Sequence, residues 1–176
     1  MSDRLEAKDL SIAAREGDTC HRPEESASET AEGRERAQLL CRGVCRLLEE
    51  LGYVSLTEFT LASGRRVDVM ALGRDGQLLA IEVKSCLADF RADSKWPEYR
   101  EWCEGLYFAV PPEFPQDVLP HDCGLMVADP WGAEILRSPA RRPLAPARRK
   151  ALTLRFARAA GQRLGRLLDP RGREAL

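Results

Sequence analysis

Apolar residues recur every three or four positions from Gly33 to Leu51, at Ala37, Leu40, Val44, Leu47, Leu48 and Leu51. That spacing predicts a long amphipathic helix, and Gly52 supplies a stop signal. The period then switches to two. Tyr53–Leu61 predicts a strand with Val54, Leu56 and Glu58 on one face and Tyr53, Ser55, Thr57 and Phe59 on the other. After the turn Ala62-Ser63-Gly64, two apolar runs, Arg65–Leu72 and Gln77–Lys84, flank Gly73-Arg74-Asp75-Gly76. This order predicts a β-hairpin. Ser85–Glu104 predicts a helix that is kinked at Pro97 or starts there, with Asp93 or Ser94 as its cap. Gly105–Val110 predicts a buried strand, and Cys123–Ala128 and Ala133–Leu136 two more. A Pro-rich connection, Ser138–Pro146, leads to a last helix, Ala147–Leu168, with an apolar stripe of Leu152, Phe156, Ala159, Ala160, Leu164, Leu167 and Leu168. The 176 residues therefore predict one domain over residues 33–170. Residues 1–32 predict an acidic, flexible tail, with a short helix at Leu5–Ala14 and disorder over Thr19–Gly33.

Three charges interrupt the hairpin. Glu82 and Lys84 share a strand face with Leu78 and Ala80, while Leu79, Ile81 and Val83 fill the other. A strand apolar on both faces is central and covered on both sides. Asp68 stands among Val67, Val69, Met70 and Ala71 on the preceding strand. Buried charges are costly unless they are paired or bound to an ion. Asp68 and Glu82 holding Mg²⁺ or Mn²⁺ would account for them, because such ions prefer carboxylate oxygens. Lys84 beside the ion could orient or deprotonate a water, or neutralise charge on a phosphate. Glu58 could join the pair as a further acid, and a carboxylate from the first helix, Glu49 or Glu50, is a lesser candidate. The plain alternative is a cross-strand ion pair that fixes register.

The net charge of −1 hides an asymmetry. Residues 1–32 hold nine acidic residues against four basic ones, whereas residues 137–173 hold eleven Arg and one Lys against Asp169 alone. A basic end on a near-neutral chain predicts a local footprint for a polyanion. The candidate nucleic-acid contacts are Arg65, Arg66, Lys95 and Tyr99 beside the acidic strands, with Arg148, Arg149 and Arg155 on the last helix. Solvation of an amphipathic helix explains the last group equally well. No secretory signal and no membrane-length apolar run is present, so a cytoplasmic protein with reduced thiols is expected. Cys41 and Cys45 share a helix face without a second ligand pair, which argues for buried thiols over zinc. With only His21 and His121, histidine-driven catalysis is not expected.

The order helix, strand, strand with Asp68, strand with Glu82-Val83-Lys84, helix, strand resembles the PD-(D/E)xK nuclease superfamily. Val67 stands where the motif's name has Pro. The resemblance implies a restriction-endonuclease-like α/β fold, a central mixed sheet flanked by helices. It also implies Mg²⁺ on Asp68 and Glu82, with Lys84 as the catalytic lysine. A closer likeness covers about residues 50–168. Thr57–Asp68, Glu82–Ser85, Asp89–Asp93, Lys95–Tyr99 and Tyr107–Pro111 are similar to the MmcB-type bacterial DNA-repair family. The expected function is a Mg²⁺-dependent DNA phosphodiester hydrolase in repair. The alternative is a DNA-binding repair factor that keeps the fold without turnover. DNA is the expected partner, with no membrane and no small-molecule substrate; a homo-oligomer is compatible with the sequence.

Overall fold

The computed structural model describes residues 23–170, with side chains from residue 31 onward. The helix expected at Leu5–Ala14 and most of the acidic tail lie outside the described residues. Three α-helices and six strands follow in the order α1 (Pro23–Glu50), β1 (Val54–Thr60), β2 (Arg66–Leu72), β3 (Leu78–Val83), α2 (Leu87–Ala92), β4 (Gly105–Val110), β5 (Gly124–Ala128), β6 (Ala133–Arg137) and α3 (Pro146–Leu168). Helix α1 is already helical at Pro23, where periodicity placed its start at Gly33 and disorder before it. Residues 23–32 lack an apolar period but are rich in Ala and Glu, strong helix formers, and open on a Pro suited to a first turn.

The strands form one sheet in sequence order, β1-β2-β3-β4-β5-β6. The β1–β2, β2–β3 and β5–β6 pairs are antiparallel, and β3–β4 and β4–β5 are parallel. This mixed sheet with flanking helices is the α/β architecture that the element order predicted. β3 and β4 are buried along their whole length, as continuous apolar runs require. Leu40, Val44 and Leu48 of α1 cover one face, against Val69, Ile81, Tyr107 and Met126. Leu152 and Phe156 of α3 cover the other, with Phe59, Met70, Tyr99 and Phe108.

Three local departures bear on the site. The predicted helix over Ser85–Glu104 is broken into α2 and a 3-10 helix, Trp96–Glu101. Between them the Asp93 carboxylate accepts from the Lys95 amide at 2.8 Å, but the N-cap of the 3-10 helix is Lys95, not Asp93 or Ser94, and it carries no side-chain cap hydrogen bond. Second, the alternation of β1 breaks at Glu58, the one described non-glycine residue at positive φ (50°). Leu56, Phe59 and Leu61 consequently face the same core, whereas strict period two put Leu56 and Phe59 on opposite faces. Third, α3 outruns the sheet. Leu152 and Phe156 are buried, but Leu164, Leu167 and Leu168 of the predicted stripe are exposed.

Candidate active site

Beyond the Val69–Ile81 pair the ladder between β2 and β3 ends, and side chains take over its hydrogen bonds. The Val83 amide donates to Asp68 Oδ2 at 2.7 Å, and the Asp68 amide donates to Glu82 Oε1 at 3.4 Å. The two acids are thus locked reciprocally into a fork between separating strands. Each uses one oxygen on the backbone, leaving Asp68 Oδ1 and Glu82 Oε2. Lys84 Nζ lies 3.6 Å from Glu82 Oε2 and 2.6 Å from Asp93 Oδ2. Glu82 and Lys84 are almost fully buried, at 3% and 5% exposure. Asp68 and Lys84 reach a groove under the middle of α1. Gln38, Cys41, Arg42 and Cys45 form its helix wall, and Glu58 and Arg66 its rim.

Electrostatics follow from this burial. Desolvation, then the Asp68 charge, push the Glu82 carboxyl up to about 8, against the pull of Lys84 and the Asp68 amide. Asp68 is raised too, first by burial, with Glu58 and Asp89 adding to it and Val83 and Lys84 opposing. Burial alone would lower Lys84, but its hydrogen bond to Asp93 and the Glu82 and Asp93 charges leave it above the ordinary lysine value. Lys84 is therefore an ammonium at neutral pH. In that form it acts as a cation or a proton donor.

The predicted residues divide when placed. Asp68, Glu82 and Lys84 converge. Glu58 lines the same groove, but its carboxylate pairs with Arg66 at 2.6 Å and is half exposed. Glu50 lies beside Gly73, Arg74 and Asp75, at the opposite end of the hairpin from Asp68, so the α1 C-terminus contributes no acid. Arg65 is held in a two-pronged pair with Glu98, at 2.9 and 2.8 Å. Lys95 is exposed. Tyr99 is not a surface contact: it is 4% exposed and donates to the Arg66 carbonyl at 3.2 Å. Burial, then the Glu82, Asp93 and Asp68 charges, push its phenol up to about 12.

The α3 arginines named as phosphate contacts each make a contact within the domain. Arg148 donates to the Glu101 carbonyl at 2.9 Å and lies over the Trp102 ring. Arg149 pairs with the buried Glu104 carboxylate. Arg155 donates to the Thr60 carbonyl at 2.7 Å, and Arg163 to the Glu58 carbonyl at 3.1 Å. These carbonyls belong to β1, an edge strand, and the arginines close an edge that would otherwise invite pairing. Asp93 was not foreseen as the partner of Lys84; its only signal was an Asp just upstream of the aromatic turn. Among the described residues all cysteines are free, and burial with the Asp68 charge pushes Cys41 up to about 12. No set of three or more His, Cys, Asp or Glu side chains gathers around a metal position among the described residues. No described helix is long and apolar enough to cross a membrane.

A family model described as DNA repair protein MmcB-like matches residues 24–171. A solved protein of unknown function from Silicibacter pomeroyi is 50% identical, with a TM-score of 0.76, over 78% of this chain and 94% of that one. A repair endonuclease from Pyrococcus abyssi is 18% identical with a TM-score of 0.27, over 60% of this chain and 40% of that one. No curated protein matches.

Proposed function

The chain belongs to the MmcB-like DNA repair protein family, and from that premise we propose that it hydrolyses DNA phosphodiesters at the Asp68–Glu82–Lys84 fork with a divalent metal. The observation that carries the reading is a buried carboxylate, Glu82, and a half-buried one, Asp68, interlocked through each other's strands, each with one oxygen off the backbone, beside a buried ammonium. An ion-pair network does not need that arrangement. In such a network Lys84 would sit closest to the crowded pair, whereas its short contact, 2.6 Å, goes to Asp93, its contact with Glu82 is 3.6 Å, and the Asp68 charge still raises Glu82.

The donor set suits Mg²⁺ or Mn²⁺, which take one or two carboxylates and complete their shells with water and phosphate oxygens. Asp68 and Glu82 would hold the ion, which when bound supplies Lewis-acid charge and an acidified water. The chain's own residues do the rest. The Val83 and Asp68 amides fix the carboxylate orientations. Asp93 and Glu82 fix Lys84 Nζ, whose charge can stabilise a phosphate oxygen or pass a proton to it. Arg42 on the helix wall, and Arg66 on the rim beside Glu58, provide charge for the flanking backbone.

A second reading, a DNA-binding repair factor without turnover, draws on the lack of a third acid around the metal position among the described residues. One assay separates the two. Single-stranded, duplex, branched and crosslinked DNA are incubated with Mg²⁺ or Mn²⁺, with Lys84→Ala as control. Metal-dependent cleavage lost in the variant supports the hydrolase; no cleavage of any substrate favours the binding factor.

A further inference from the structure

The turn between β5 and β6 is organised around an exposed ring. Trp131 is 78% exposed, whereas Trp96 and Trp102 pack against the core. Its backbone is held firmly. Asp129 Oδ1 accepts from the Trp131 amide at 2.7 Å and the Gly132 amide at 2.9 Å. Arg46 of α1 donates to the Pro130 and Trp131 carbonyls at 3.2 and 3.1 Å. Its guanidinium lies 5.8 Å from the centre of the indole. Gly43 lets the turn seat directly on α1, because a Cβ there would come within 2.0 Å of the Asp129 carbonyl oxygen. A large apolar ring on a fixed turn, facing solvent beside an arginine, is a surface prepared for a ligand.

Its position connects it to the carboxylates. β3, β4 and β5 run parallel, so Lys84, the loop after Val110 and the Asp129–Gly132 turn lie at one end of the sheet. β3 and β5 are two strand spacings apart, about 10 Å. Helix α1 bridges them with a polar row. Arg34, Gln38, Arg42 and Arg46 follow one another at intervals of four residues, about 6 Å of rise per step. The first three line the groove that holds Asp68 and Lys84, and the fourth holds the Trp131 turn. The positive charges, Arg34, Arg42 and Arg46, are about 12 and 6 Å apart along the helix axis, and such a row can follow the phosphates of an extended strand.

We infer that this end of the sheet binds an unpaired DNA strand, with its phosphates along Arg34, Arg42 and Arg46 and a base stacked on Trp131. The inference rests on the DNA reading above and names the form of DNA it takes. Phosphate contacts alone accept duplex and single strand alike. An exposed ring adds affinity only for a base released from its stack. Exposed Trp also anchors protein interfaces, but the arginine beside this one, Arg46, and Arg42 one turn earlier on α1 match a polyanion.

The test is binding of the full chain to labelled oligothymidine and to a blunt hairpin duplex, by fluorescence anisotropy in EDTA so that cleavage cannot enter. Trp131→Ala should weaken oligothymidine binding about ten- to a hundredfold and leave the hairpin within about twofold. Trp131→Phe should keep most of the affinity. Arg42→Ala should flatten the salt dependence for oligothymidine by about 0.7 per lost contact. Thermal melting checks that each variant is folded. Oligothymidine binding unchanged by Trp131→Ala would overturn the inference and leave the ring to a protein contact; so would equal losses on both DNAs, or no oligothymidine binding by the wild type. Cleavage with Mg²⁺ is read separately, so the hydrolase can fail while this surface stands, or the reverse.

Discussion

Replacing Glu82 by Gln removes a charge and almost no volume. The amide oxygen can still accept from the Asp68 amide, so the fork is kept. In the wild type the Glu82 carboxyl is raised from 4.5 to about 8 by burial and by Asp68. Between those two values the folded protein holds a proton that the unfolded chain has released, so stability falls as pH rises through that window. Every tenfold difference in proton affinity between the folded and unfolded chain is worth about 1.4 kcal/mol, and the loss by pH 9 is on the order of a few kcal/mol. Glu82→Gln has no such proton to lose. In EDTA the variant and the wild type should melt alike near pH 5. Near pH 9 the variant should melt higher by roughly 5–10 °C, given about 2–4 °C per kcal/mol for a chain of this size. With millimolar Mn²⁺ at pH 8 the order should reverse, because the metal stabilises only the protein that binds it. Differential scanning fluorimetry across pH reads both effects. Equal melting temperatures at pH 9 in EDTA would mean that Glu82 carries its charge without penalty, contrary to what its burial requires.

Other expectations follow from single contacts. Lys84→Ala should abolish metal-dependent cleavage while DNA affinity drops less than about threefold, because one buried cation adds little to a phosphate footprint; cleavage and anisotropy assays on the same preparation check this. Arg149→Ala strips the partner from Glu104, which is only 8% exposed, and should cost about 2–3 kcal/mol in urea unfolding. Tyr99→Phe removes the hydrogen bond to the Arg66 carbonyl and should cost about 1 kcal/mol, with the salt dependence of DNA binding unchanged. A changed salt slope would return Tyr99 to the binding surface.

The legible and illegible parts of this chain divide along a physical line. The hairpin, the buried central strands and the Asp68–Glu82–Lys84 cluster could be read in advance, because each depends on period two and on the cost of burying charge. Asp93 could not be assigned to Lys84, because nothing local in the sequence says which acid a lysine nine residues away will reach. The partners of the α3 arginines within the domain were hidden for a similar reason. The number of these arginines suggested phosphate, but the edge of β1 and the carboxylate of Glu104 compete for the same donors, and both are long-range neighbours. Glu58 shows a third limit: one residue at positive φ reverses the facing of a strand, and no alternation pattern announces it. The Trp131 turn was read as a turn from Asp129-Pro130-Trp131-Gly132; its support by Arg46 and its place at the carboxylate end appear only once the parallel strands are aligned.

Everything proposed for the fork depends on Asp68 and Glu82 forming a divalent-cation site, and Mn²⁺ binding followed by calorimetry reads that directly. The wild type should show saturable binding that strengthens from pH 6 to pH 8, as the proton held on Glu82 is displaced. Asp68→Asn should abolish it while remaining folded. No Mn²⁺ binding by the wild type at millimolar concentration, or undiminished binding by Asp68→Asn, would contradict a metal site at these two carboxylates.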